Sequence, residues 1–240
     1  GSHSGRSLRH AATVMSIGAR ELIERGRALA AALLEVEASE IEFRDGRFQV
    51  PGTDRRIDFL GLAATAEARG LASSLSVVAD NEMHDPVFPN GCAICEIEID
   101  PETGVPTIAR YAAVDDVGRC VNPMIVHGQT HGGIAQGVGQ ALWEHCVIDP
   151  SSGQPLAGTL MDYAMPRADQ LPSFATEIVE VLSPTNPFGI KAGGEGGTTP
   201  ALAAVMNAII DALDDFGVVD LPMPATSEVI WRAIQQGSVR

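Results

Sequence analysis

The sequence contains almost no lysine: fifteen of its 16 basic residues are arginine, and Lys191 is the single exception. Acidic residues number 31, so the formal net charge is −15. An acidic surface of this kind argues against nucleic acid or an anionic membrane as a partner. Long apolar runs are missing as well, since none approaches the roughly 18 residues of a spanning helix. No basic segment followed by an apolar one opens the chain, and we expect a cytoplasmic protein.

Cysteine is also scarce, and the four cysteines are too few for a disulfide scaffold. Cys92 and Cys95 form one C-x-x-C pair, whereas a zinc ribbon needs a second pair that the sequence does not contain. We therefore interpret both as small apolar residues and predict no metal site. The six histidines form no zincin motif. No G-x-S-x-G elbow is present either, which argues against a serine hydrolase.

The remaining composition, 45% hydrophobic and 20% charged residues, is typical of a globular chain. Hydrophobic periodicity predicts helices over residues 7–37, 58–69, 123–145, 200–216 and 226–236, and strands or hairpins over 41–50, 92–100, 107–117, 147–160 and 177–182. We expect Asp58 to cap the second helix, and Thr198 or Thr199 to cap the fourth. This mixture predicts an α+β fold in one domain spanning residues 1–240, with residues 1–3 either a tag remnant or part of a longer, processed chain.

The helix predicted after Pro123 is unusually rich in glycine, with five glycines in the twelve residues from Gly128 to Gly139. Each glycine inside a helix costs up to about 1 kcal/mol relative to alanine, so packing or a ligand must offset that cost. At about 100° per residue, Gln129, Gln136 and Gln140 fall within about 20° of one line. Neutral amides on a bare backbone favour a polar heterocyclic ligand over simple helix packing, although both interpretations stay open.

A second unusual segment is the Pro/Gly loop of residues 183–200, whose only charged side chains are Lys191 and Glu195. Its five glycines allow sharp turns and close approach to a ligand, and it leads into a helix N-terminus. The order of residues excludes a phosphate-binding P-loop, because Lys191 precedes the glycines and is followed by alanine. Burial makes a carboxylate more basic, so a glutamate here fits a general base. An ordinary surface loop with a solvated glutamate is the alternative.

A third, weaker candidate opens the first helix. Ser4, Gly5, Arg6 and Ser7 offer hydroxyls, a guanidinium and helix N-terminal amides, which together can hold an anion.

Several segments, taken in order, resemble the C-terminal part of the molybdenum-binding large subunit of the xanthine dehydrogenase, aldehyde oxidase and carbon monoxide dehydrogenase family. The carbon monoxide dehydrogenase-like branch is the most similar. The segments that carry the resemblance are 88–92 (FPNGC), 114–119 (VDDVGR), 121–123 (VNP), 128–137 (GQTHGGIAQG), 161–168 (MDYAMPRA) and 189–195 (GIKAGGE).

The resemblance implies the C-terminal half of a molybdopterin-binding domain and a part of a molybdopterin-dependent oxidoreductase. It implies that Glu195 is the general base in the oxidative hydroxylation of a small aldehyde, a heterocycle or a CO-like substrate, with water as the oxygen source. The implied cofactor contacts are Gln129, Lys191, Gly193, Gly194, Ser4, Gly5, Arg6 and Ser7.

The implied cofactor is molybdopterin in its cytosine dinucleotide form, with FAD and [2Fe-2S] clusters on partner subunits. Large subunits of this family are roughly three times longer, so the implied partners are the N-terminal part of the large subunit, an iron–sulfur subunit and an FAD subunit. We expect the chain to be inactive alone. The sequence leaves two alternatives open: a non-catalytic fragment that packs against a partner subunit, and an enzyme unrelated to molybdenum that uses Glu195 with Lys191.

Overall fold

The chain divides into two compact units in the computed structural model, which describes residues 3 and 5–237. One unit comprises Ser7–His84, and the other comprises Gly1–Arg6 with Asp85–Arg240. Each has its own cluster of buried apolar side chains. The helices and small mixed sheets confirm the predicted α+β class. Whether the two units together form a single domain stays a prediction.

The smaller unit combines a long helix with a small antiparallel sheet. Its elements are α1 (Arg6–Leu34, of which the part from Ser7 belongs to this unit), β1 (Glu42–Arg44), β2 (Arg47–Gln49), β3 (Arg56–Asp58) and α2 (Phe59–Ala68). Strands β1 and β2 form a hairpin within the predicted segment 41–50, and the turn at Asp45-Gly46 joins them with both residues at positive φ. The side chain of Asp58 accepts a hydrogen bond from Gly61 N at 2.8 Å, so the predicted cap of α2 is confirmed.

The larger unit places helices against a three-stranded sheet of order β4-β5-β6. Strands β4 (Asn90–Ile99) and β5 (Pro106–Asp116) are antiparallel, whereas β6 (Phe174–Ile178) runs parallel to β5. The helices are α3 (Pro123–Leu142), α4 (Thr198–Ala212) and α5 (Ser227–Gln236). Buried residues of α3 and α4, such as Ile134, Val138 and Val205, form the core with the inner face of β5. The end of β5 therefore lies beside both helices that carry the sequence motifs.

Three local predictions for this unit were wrong. The predicted hairpin over 147–160 reduces to one bridge between Ile148 and Pro155. Strand β6 begins three residues earlier than predicted and ends at Ile178, since Val181 N leaves the ladder and donates to the Asp116 side chain at 3.1 Å. Helix α4 is capped by neither threonine: both lie inside it, because Thr199 N already donates to Glu195 O at 3.1 Å.

None of the helices within the described residues is both long and apolar enough to cross a membrane.

Candidate functional site

A pocket of about 380 Å³ opens where β5 ends. It lies between the start of β4, the last residues of β5, the glycine loop 192–196 and the start of α4. Three carboxylates line it: Asp115 and Asp116 from the end of β5, and Glu195 from the loop. The chemistry that this pocket can perform depends on which of the three is already engaged within the protein.

Both carboxylates of β5 are buried and engaged. Asp115 Oδ2 accepts a hydrogen bond of 2.8 Å from the hydroxyl of Thr130 on α3. Asp116 forms an ion pair with Lys191 and accepts from Gly118 N at 2.9 Å. Burial by itself would raise the pKa of Asp116, but the hydrogen bonds from Lys191 and from two backbone N–H groups outweigh it, and the pKa is lowered. Asp116 is therefore a charged, fully occupied anchor at neutral pH.

Glu195 is the third carboxylate of the pocket, and it differs from the two of β5. Its side chain is exposed at the pocket, and among residues 5–237 no hydrogen bond or ion pair engages its oxygens. Its backbone is held, because Glu195 O accepts from Thr199 N in the turn that leads into α4. A fixed backbone with an unengaged carboxylate at a cavity is suited to accept a proton from a molecule bound there.

Gln129 touches the same loop from the other side. This residue is exposed on the first turns of α3, and its Nε2 donates to Gly194 O at 2.8 Å. The structure thus brings two of the predicted site residues into direct contact. Gln136 and Gln140 are exposed on the same helix, as their spacing predicted.

The glycines of α3 serve two different purposes. Gly133 and Gly137 are buried, and a Cβ added at Gly137 would lie 2.5 Å from Thr198 O and 2.7 Å from the Cβ of Ala201. These two let α3 approach α4 closely, which is the packing interpretation. Gly128 and Gly132 are exposed, and a Cβ there would meet nothing within 4 Å. They leave bare backbone beside Gln129, which fits the ligand interpretation.

The loop itself combines a tight end with an open one. A Cβ added at Gly193 would lie 3.1 Å from Val117, whereas one at Gly194 would meet nothing within 4 Å. Gly5 lies against the same loop, because a Cβ there would fall 2.7 Å from the Cα of Ala192. The chain before α1 thus passes beside the glycine loop.

The remaining candidates at the start of α1 are less informative. Ser4 lies outside the described residues. Arg6 begins α1 and is exposed, and Ser7 follows it in the other compact unit. Their contact with a cofactor stays a prediction.

Lys191 has a partner that the sequence did not suggest. Its ammonium is paired with Asp116, and its side chain is only 10% exposed. It does not line the pocket, in contrast to Asp116. Its contact with a cofactor stays a prediction, and in the structure its ammonium is paired with the Asp116 carboxylate.

Asp115, Asp116 and Thr130 were given no role by sequence reasoning. The signal that could have revealed them lies at the end of β5, where exposed and buried residues stop alternating. The last two residues of the strand are both acidic and both buried. Two adjacent buried carboxylates need donors, and Thr130, Lys191 and backbone N–H groups supply them.

Three side chains that could ligate a metal are Cys95, His127 and His131. Burial, followed by the charge of Glu96, raises the pKa of the Cys95 thiol to about 11, so it is not the thiolate that a metal or redox site needs. His127 Nδ1 and His131 Nε2 lie 2.9 and 3.1 Å from the same hydroxyl, Thr176 Oγ1. No group of three or more metal-ligating side chains occurs in the described part of the chain.

Comparison with known proteins defines the family of the chain. Residues 1–172 match the model of the molybdopterin cofactor-binding domain. The 6-hydroxypseudooxynicotine dehydrogenase complex subunit gamma of Paenarthrobacter nicotinovorans is 37% identical over 247 residues, covering 98% of this chain and 30% of that protein. The carbon monoxide dehydrogenase large chain of Hydrogenophaga pseudoflava is 31% identical over 240 residues, with the same shares.

Solved structures give the same result. A Cu,Mo-CO dehydrogenase in its carbon monoxide-reduced state superimposes with a TM-score of 0.80 at 29% identity, covering 98% of this chain and 30% of that one. Quinoline 2-oxidoreductase from Pseudomonas putida 86 gives 0.72 at 35% identity, covering 90% of this chain and 28% of that one. The chain belongs to the molybdopterin cofactor-binding family and spans about 30% of the length of its large-subunit relatives.

Proposed function

We propose that this chain supplies the general base and part of the cofactor cradle of a molybdenum hydroxylase. The observation that carries the proposal is Glu195, an unengaged carboxylate on a fixed backbone at a glycine-lined pocket. Asp116 is paired with Lys191 and Asp115 accepts from Thr130, so Glu195 is the pocket carboxylate without a side-chain partner among the described residues.

The residues on the α3 side of the glycine loop fit a molybdopterin chemically. A pterin is a neutral ring system with several donors and acceptors, and amide side chains can do both at once. Gln129 presents such an amide beside the open backbone of Gly128, Gly132 and Gly194, where a Cβ would meet nothing. Glycine lets a ligand approach the backbone closely. We infer that Gln129, Gly193 and Gly194 form the part of the cradle that this chain contributes, and Gly5 lies against Ala192 of the same loop. Cofactor contacts of Ser4, Arg6 and Ser7 are proposed from the family resemblance alone.

When bound, the cofactor supplies the two-electron oxidation. The role that falls to this chain is to hold Glu195 where its carboxylate removes a proton from the reacting oxygen. Thr199 N and Gln129 Nε2 both bond to the carbonyls of the loop and so restrict where the carboxylate can be. Positioning of a catalytic base in this way contributes to the rate without any change in its chemistry.

The remaining parts of the enzyme are proposed from its relatives. Two of these are named as a complex subunit and as a large chain, which supports a heteromeric enzyme. We propose the cytosine dinucleotide form of the cofactor, FAD and [2Fe-2S] clusters on partner subunits, and the N-terminal part of the large subunit as the source of the substrate-facing wall. The substrate is a small aldehyde, an N-heterocycle or carbon monoxide. A panel of benzaldehyde, quinoline and carbon monoxide with a dye acceptor samples these classes.

We predict that Gln129→Ala lowers either the molybdenum and pterin content of the complete enzyme or its turnover. The substitution removes the donor to Gly194 O, so both the loop and the cradle lose one contact. A lost hydrogen bond of this kind is worth about 1 kcal/mol, which corresponds to roughly a five-fold effect. Metal analysis, pterin fluorescence and panel turnover measure it.

Gln140→Ala is the matched control, because Gln140 is exposed on the same helix three turns further along. The control should behave as the unaltered enzyme does. If Gln129→Ala also leaves both cofactor content and turnover unchanged, Gln129 is not part of the site.

A further inference from the structure

We propose that Asp116 is a positioning residue that fixes the Glu195 loop by holding Lys191. The inference rests on the proposed role of Glu195, and it gives the single lysine of the chain a defined task. Asp116 acts through Lys191 and touches neither cofactor nor substrate in this account.

The pair is built as a buried anchor. The Lys191 and Asp116 side chains are 10% and 11% exposed. Asp116 Oδ1 also accepts from Gly118 N at 2.9 Å and from Val181 N at 3.1 Å. Three donors therefore converge on one carboxylate, and they come from the β5 end, from the segment after β6 and from the segment before the glycine loop. Buried charged groups persist in this way only when their hydrogen bonds are satisfied.

The backbone just before the glycine loop is hydrogen-bonded to the residues that follow β5. Lys191 N donates to Val117 O at 2.8 Å, and Arg119 N donates to Gly189 O at 2.9 Å. Gly118 and Ile190 form an antiparallel bridge. The side chain of Asn186 bonds to both the N–H and the carbonyl of Ile190. Residues 189–191 are thus held by an isolated bridge and two backbone hydrogen bonds against residues 117–119, directly after β5, and Lys191 is the last residue of that segment.

Between Lys191 and Glu195, the one hydrogen bond to the loop among the described residues is the donation from Gln129 to Gly194 O. Gly193 and Gly194 lie in this segment, and glycine has the widest choice of backbone conformations. The position of Glu195 is then set by its neighbours: the Lys191 anchor on one side, and the Thr199 and Gln129 contacts on the other. Release of the Lys191 end widens the range of positions that the carboxylate explores. A displacement of about 1 Å at a catalytic group can cost about 100-fold in rate.

The test is Lys191→Met in the complete enzyme, with amide hydrogen exchange and kinetics measured together. Methionine keeps the apolar stem and removes the ammonium, while Asp116 keeps its two backbone donors. We expect the amides of residues 191–196 to exchange at least about ten-fold faster, because they lose an anchor. We expect kcat per bound molybdenum, measured on the best panel substrate, to fall about 10- to 100-fold, with a smaller change in KM.

Glu96→Gln is the control. It breaks the exposed Arg110–Glu96 ion pair on β4 and β5, whose side chains are 80% and 57% exposed, so exchange and kcat should not change. Asp116→Asn is the second variant and should act in the same direction as Lys191→Met. If neither variant assembles, hydrogen exchange in the unaltered enzyme tests the proposal instead. The Lys191 amide should then exchange as slowly as the amides of β5.

Three results would overturn the proposal. The first is unchanged exchange of 191–196 in Lys191→Met, and the second is faster exchange with unchanged kcat per molybdenum, which leaves the pair a purely structural role. The third is a Lys191 amide that exchanges freely in the unaltered enzyme. Failure of the proposed function is distinguished by a different variant, since Glu195→Gln tests the base itself and leaves this ion pair intact.

Discussion

Glu195→Gln lowers turnover of the complete enzyme by about 10²- to 10⁴-fold, which is the usual contribution of a general base. Glutamine has nearly the shape of glutamate but cannot take up a proton at neutral pH. The side chain is exposed and engages no described residue, so the substitution leaves no protein donor unpaired. Molybdenum and pterin content should therefore stay near normal. Panel kinetics together with metal and pterin analysis separate these two quantities.

Glu98→Gln is the matched control for charge. Glu98 is exposed on β4 and lies outside the pocket, so its variant should keep full turnover. A Glu195→Gln enzyme with full cofactor content and undiminished turnover would show that the base lies elsewhere. Loss of both turnover and cofactor would instead give Glu195 a binding role.

Gly137→Ala is expected to destabilise the protein by about 1–3 kcal/mol, the usual cost of inserting a methyl group into a filled core. The added Cβ would lie 2.5 Å from the backbone oxygen of Thr198 and 2.7 Å from the Cβ of Ala201. A backbone oxygen cannot rotate away, so α3 and α4 must separate. This separation also moves the turn that holds Glu195 O. Thermal unfolding of the complete enzyme should show a midpoint several degrees lower.

Gly132→Ala supplies the opposite case on the same helix. Its added Cβ meets nothing within 4 Å, and alanine is favoured over glycine in a helix by up to about 1 kcal/mol. The unfolding midpoint should therefore stay the same or rise. A Gly137→Ala protein as stable as the Gly132→Ala protein would contradict the close packing of α3 on α4.

Local chemistry made much of the fold predictable. Asp58 caps α2 as predicted, because a side-chain oxygen just before a helix can accept from one of its first free N–H groups. The errors arose where tertiary contacts decided. Strand β6 ends at Ile178 because Val181 N bonds to Asp116, a residue 65 positions away in the sequence. No local pattern contains that information.

The candidate site was predictable to a similar extent. Glu195 and Gln129 stood out because a lone carboxylate among glycines and a row of amides on a helix are unusual in any context. The hydrogen bond from Gln129 to Gly194 O, next to Glu195, depends on how α3 packs against α4. The sequence alone does not contain that packing. The pairing of Lys191 with Asp116, 75 positions away in the sequence, likewise follows from no local pattern, and the predicted contact of Lys191 with the cofactor stays a prediction.

Molybdenum and pterin analysis of the purified complete enzyme tests the central claim most directly. The central claim is that this chain forms part of a molybdopterin site with Glu195 as its base. The account predicts molybdenum and pterin in stoichiometric amounts, retained in Glu195→Gln. A correctly assembled complex that lacks both would contradict it, and would favour a structural role for the chain.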